Sequence, residues 1–215
     1  MEITDRFKAS TRTAWRDWLA EHHTSAKEIW LVFAKDSSTC SLTYLDAVEE
    51  AICFGWIDGI VKRISDIESA QRFTPRRERS NWTELNKERA RRLIKLGLMT
   101  EAGLSKLPDL AAPFVVPKDI LAAINQNSAA KQHFRSLPEL YVRVRLGYIA
   151  EARNQTDEFN RRLQNFVAKT AAGKLFGNWN DDGRLVGWGD GWWWADESCK
   201  SQRRSVEPHW VSHTG

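Results

Sequence analysis

The stretch from Gly55 to Asn86, GWIDGIVKRISDIESAQRFTPRRERSNWTELN, decides how the chain folds and where a site is to be sought. Upstream of it, Leu45, Val48, Ala51 and Ile52 recur at helical spacing, and Thr43 with Asp46 three positions on reads as a capping box. Gly55 stops that helix as a residue at ease in the left-handed region. Beyond Gly59, Ile60 to Ile64 reads as one strand and Ala70 to Thr74 as a second, with Pro75-Arg76-Arg77 ending their pairing. Thr83 then caps a helix whose apolar side is Leu85, Leu93, Ile94 and Leu96, closed by Gly97.

Working outward, Ile29-Trp30-Leu31-Val32-Phe33-Ala34 is short, β-branched and aromatic, as a strand buried on both faces would be. Asp36 to Thr39 makes a turn after it. Phe7, Trp15, Trp18, Leu19 and His22 form a helical stripe that Ser10 or Thr11 could cap. His22 and His23 are adjacent and point apart, so both read as surface residues rather than metal ligands. From Pro117 the pattern turns helical, with starts at Pro117, Ser128 and Thr156 and a stop at Gly173. Val142 to Leu146 alternates like a strand, yet the length of Leu140 to Arg153 favours a helix.

The expected fold is therefore α+β: a small, mostly antiparallel sheet with flanking helices, then a mainly helical second half. Residues 1–107 would form the α+β domain and 114–177 a helical lobe, joined by Pro108 to Pro113, with a Trp- and Gly-rich tail over 178–215. Six of the eleven Trp fall between Trp179 and Trp210. Asp182-Gly183 suggests a hairpin turn there. A tail packed on the body fits better than a mobile arm, because so much free aromatic surface invites aggregation.

Composition narrows the function class. Charged residues make up 28% and hydrophobic ones 42%, the balance of a globular protein. The polar start MEITDRFKAS has no signal-peptide core, and no apolar run approaches the ~20 residues of a bilayer span. Cys40, Cys53 and Cys199 are too few and too scattered for a disulfide framework or a zinc site. A cytoplasmic chain is the expectation, with Cys53 in the core and no metal or cofactor. No dinucleotide fingerprint, phosphate-binding loop, HExxH, CxxC or GxSxG occurs.

The charge is uneven. Eleven basic and five acidic residues between Lys62 and Lys95 give that segment +6, against +4 for the whole chain. Trp56, Asp58, Arg72, Arg76, Arg77, Ser80, Trp82 and Asn86 all fall in or just before it. Planar guanidiniums suit carboxylate or phosphate, indoles could stack on a flat group, and Ser80 and Thr83 could place an anion at a helix start. The competing reading is structural: Asp58 pairs with Arg72 or Arg76, the Trp cover a small core, and the basic residues are a solvated helix side.

The runs WLVFAK, LTYLDAVEEAICFGWIDG, RFTPRR, SNW and NKERARRLIKLGLMTEAG carry a further signal, dense and ordered from Trp15 to Gly103. Together they resemble the YdeI/OmpD-associated, or bacteriocin-protection, family. LPELYVRVRLGYIAEAR and FNRRLQNF are similar to that family's second half, while the Trp-rich tail lies outside the resemblance. The resemblance implies a small cytoplasmic protein without known cofactor, linked by name to bacteriocin protection and a porin, and it supplies no catalytic residue. The leading expectation is a non-enzymatic binding protein for a small anionic ligand or a protein partner. A nucleic-acid binder using the Arg/Trp patch is one alternative. An enzyme using Asp58 as general acid or base is another.

Overall fold

The computed structural model describes residues 2–34 and 42–187. Its sheet is organised around β2 (Ile29–Ala34) and has the order β1-β2-β4-β3. β1 (Arg6–Phe7) runs parallel to β2, whereas β4 (Glu68–Pro75) is antiparallel to it, from Ile29 opposite Phe73 to Ala34 opposite Glu68. β3 (Trp56–Arg63) is hairpin-paired to β4, with an irregularity between Asp58 and Val61. Ile29 to Val32 are buried in succession, as a strand enclosed on both faces requires.

Helices α1 (Arg12–His22), α2 (Tyr44–Cys53), α3 (Glu84–Lys95) and the short α4 (Glu101–Leu104) complete the first half. Trp15 and Leu19 of α1, Val48 and Ile52 of α2 and Leu93 of α3 share one apolar cluster with Leu31, Trp56 and Phe73 of the sheet. Burying a Trp such as Trp15 or Trp56 removes about 150–250 Å² from water, which contributes roughly 4–6 kcal/mol. The capping box is formed: Asp46 N–H donates to the Thr43 hydroxyl at 3.1 Å while Thr43 N–H donates to the Asp46 carboxylate. Phe7 sits on β1 and not in the helix; Thr11 caps α1, and Phe7 joins the aromatic stack of Trp15 and Trp18 from the sheet edge.

The second half packs α5 (Lys118–Gln126), α6 (Ser128–Phe134), α7 (Glu139–Ala150) and α8 (Thr156–Ala171) around Ile120, Ile124, Tyr141, Leu146, Ile149 and Phe166. Leu140 to Arg153 is thus helical for most of its length. Asn127 rather than Ser128 caps α6, and Gln155 rather than Thr156 precedes α8. No helix among the described residues is long and apolar enough to cross a membrane.

The chain then turns back across the junction of the two halves. Trp179 meets the Tyr141 ring edge-on at 5.5 Å, Asp181 reaches Arg89 of α3, and Leu185 is buried. Asp181, Asp182 and Gly183 all hold positive φ, so the expected tight turn exists, but turns and not strands surround it within the described residues. The remainder of the expected tail, from Trp188, and the Asp36–Thr39 turn lie outside the described residues.

Candidate functional site

Gly55 sets the geometry of the region. Its φ is +73°, and a Cβ there would stand 2.8 Å from the Ala102 carbonyl oxygen, so α2 can pass into β3 only through glycine. Its carbonyl accepts from Arg76 N–H at 2.8 Å, which draws the Thr74-Pro75-Arg76 corner against the α2–β3 handover. At the same place Tyr44, the first residue of α2, donates its hydroxyl to Asp58 Oδ2 at 2.7 Å. Burial and the neighbouring Asp58 carboxylate push the Tyr44 phenol well above its ordinary value, so it stays a protonated donor.

The expected site residues divide. Trp56 is fully buried, donates its indole N–H to the His23 carbonyl and meets Trp18 edge-on; it belongs to the core and offers no stacking face. Arg72 pairs across the sheet with Glu28, not with Asp58. Arg77 is exposed, and Ser80 donates its backbone N–H to the Arg77 carbonyl in the turn. Asn86 is buried beside Arg89 and accepts from its Nη1 at 2.8 Å. The structure does bring Asp58, Arg76 and Trp82 into one neighbourhood.

Arg76 is the anomaly. Its side chain is buried, only 3% of the residue is exposed, and its guanidinium lies 3.7 Å from the centre of the Trp82 ring. Nη1 donates to the Asn81 carbonyl at 3.4 Å. Nε and Nη2 are enclosed with no acceptor among the described residues. Burial lowers the guanidinium to about 10, and Asp58 partly offsets this. A buried cation without a carboxylate in contact costs several kcal/mol, of which a cation–π contact returns ~2 kcal/mol.

The rest of the basic zone is largely balanced. Arg89 places Nε and Nη2 on the two oxygens of Asp181, at 2.5 and 2.8 Å. Arg91 pairs with Glu88, Arg92 with Glu49, Lys87 with Glu84 and Arg63 with Asp66. These residues are held by ion pairs rather than spread over a solvated helix side, and Arg72, Arg89 and Arg92 find their carboxylates outside the segment. Alongside, Glu49 and Glu50 are buried on α2, where Arg12, Arg16, Arg92 and Arg184 converge on them and on Asp46.

Between these ion pairs lies an open cleft of about 560 Å³, walled by Thr43, Tyr44, Arg89, Asn178, Asp181 and Arg184. Tyr44 links it to Asp58, which lies within electrostatic reach of both Arg76 and Arg89. Sequence reasoning missed Tyr44, Arg89, Asp181 and Arg184. The signal available for Arg89 was spacing: Asn86, Arg89, Ala90 and Leu93 lie three and four apart and form the buried side of α3, while Ile94 is exposed. Among the described residues no group of three or more His, Cys, Asp or Glu is placed to hold a metal ion.

Comparison with known proteins divides the chain where the charge network joins it. No curated protein and no solved structure matches. Residues 7–106, which hold the GWIDG and TPRR motifs, match a model described as a domain of unknown function. The resemblance was densest in that segment, yet the family's own model falls on α5 to α8, the part where it was less sharp. Residues 113–173 match a family model described as bacteriocin-protection, YdeI or OmpD-associated.

Proposed function

We propose that the chain is a non-enzymatic binding protein for a small anion-bearing ligand, seated between the Tyr44–Arg89–Asp181 cleft and the Arg76–Trp82 pair. The observation that supports it is Arg76, a buried guanidinium with two unfilled donors, linked to the cleft only through Asp58, which acts on Arg76 and accepts from Tyr44 of the cleft wall. An anion placed there would supply the missing acceptor and lift the penalty of an unpaired charge. The description matched over residues 113–173 names bacteriocin protection, and the binding proposed here would serve that role. The nucleic-acid alternative loses support because Arg72, Arg89, Arg91 and Arg92 are already engaged by carboxylates.

The test is a thermal-shift and calorimetric screen of the full chain against small anions at low ionic strength, for wild type and Arg76→Met. The variant removes the charge but keeps an apolar stem on Trp82. Wild type should be stabilised by at least one anion, since a ligand at 100 times its Kd adds about 2.7 kcal/mol. Arg76→Met should be at least as stable as wild type without ligand and lose the response. A wild-type protein indifferent to every anion at millimolar concentration refutes the reading.

A further inference from the structure

We infer that the ligand presents a monocarboxylate, gripped by the free side edge of Arg76; this rests on the anion-binding reading above and names its ligand class. A guanidinium offers its donors as pairs, and Nε with Nη2 form the side edge. Arg89 uses that edge on Asp181, and Arg161 uses it on Glu158 with both contacts at 2.7 Å. In Arg76 the same two nitrogens are the ones left unfilled, while Trp82 fixes the plane and the Asn81 carbonyl holds the third nitrogen. The open edge is therefore oriented and matched to two oxygens carried on one atom. A halide or a single water would have to share one atom between the two donors, with poorer alignment to each.

Charge selects carboxylate over phosphate. Arg76 and Arg89 are faced by Asp58 and Asp181, so two cations already meet two anions before any ligand arrives. A monocarboxylate adds one negative charge near Asp58, which the unfilled Arg76 donors can meet, and a phosphate dianion adds two at a position water scarcely reaches. Each uncompensated charge in such surroundings is expensive, so the monoanion wins. Arg76 opens a turn that runs to Asn81, the residue whose carbonyl takes its Nη1. Arg77, Glu78 and Arg79 of this turn are exposed, and Arg79 holds φ +59°, a left-handed conformation unusual for a long side chain. That turn is the part that must shift to admit the group.

Calorimetric titration of the full chain at low salt with benzoate, benzamide and inorganic phosphate tests this on wild type, Arg76→Lys and Asp58→Asn. Benzoate should bind, benzamide should not, and phosphate should bind at least tenfold more weakly than benzoate. Arg76→Lys keeps the charge but lacks the paired edge and should weaken benzoate at least tenfold. Asp58→Asn removes a neighbouring negative charge on a half-exposed strand position and should tighten benzoate severalfold. Phosphate bound more tightly than benzoate, or Arg76→Lys binding benzoate at wild-type strength, overturns the carboxylate inference while anion binding itself stands. Wild type binding none of the three overturns it along with the reading it rests on. If Arg76→Lys does not fold, the wild-type ranking and the sign of the Asp58→Asn effect decide.

Discussion

Replacing Asp181 with Asn should be among the most damaging single-atom changes outside the apolar clusters. Asp181 is 1% exposed and accepts both side-edge donors of Arg89, whose side chain is 8% exposed. Removing the charge strands a buried guanidinium, at a cost of about 3–5 kcal/mol. Backbone strain adds nothing to that figure, because φ at this position is +50° and Asn tolerates the left-handed region as Asp does. With a urea slope of about 2–3 kcal/mol per M, the unfolding midpoint should fall by roughly 1–2.5 M. Asp182→Asn, next door but exposed, is the control and should stay within about 0.5 kcal/mol of wild type. The double variant Arg89→Met/Asp181→Asn should recover most of the loss, since it removes the stranded charge and keeps at 181 a residue that tolerates the left-handed region. If Asp181→Asn costs under 1 kcal/mol by urea titration followed through Trp fluorescence, the segment 178–187 is not anchored as described and the cleft loses a wall.

Three further outcomes follow from separate parts of the molecule. Gly103→Ala would push a Cβ to 2.1 Å from the Cys53 carbonyl oxygen, a backbone atom that cannot yield; circular dichroism should show a loss above ~3 kcal/mol or no folded protein. Cys53 is fully buried, and burial with the nearby Glu50 carboxylate raises its thiol to about 12; mass mapping should find it unlabelled by iodoacetamide at pH 8 until denaturant is added. Burial alone would raise the Asp46 carboxyl, but the Thr43 hydroxyl and the Arg184 and Arg12 guanidiniums outweigh it and hold it below the ordinary value. Its stabilisation is therefore complete above the unfolded value of ~3.9 and lost as pH falls through the lower folded one. Asp46→Asn should flatten that part of the acid limb in pH-dependent urea titrations.

The sheet and its caps were legible because local rules fix them. Thr43 with Asp46, Gly55, Thr83 and Gly97 each act within four residues of themselves, and a run such as IWLVFA has few alternatives to a buried strand. Phe7 was misassigned because two residues of parallel β1 carry too little pattern to be told from a helix lead-in. The site was only partly readable for a different reason. A charged residue in a sequence is assumed to face water, and here Glu49, Glu50, Glu88 and Arg89 are buried because each finds a counterion far along the chain. Spacing cannot report a partner 92 positions away. Trp56 and Trp82 were likewise equivalent as letters; both join the apolar cluster, and only packing shows that Trp82 also carries Arg76 on its face.

The long reach of these ion pairs bears on how the protein is born. Asp181 follows Arg89 by 92 residues, and Arg184 follows Asp46 by 138. At about 5–20 residues per second, roughly 5–18 s separate the synthesis of Arg89 from that of its counterion. Through that interval α3 carries a cation whose counterion has not yet been made. A stretch made after both halves is thus the one that completes the first, so a messenger truncated before Asn178 should yield a product that chaperones retain rather than release.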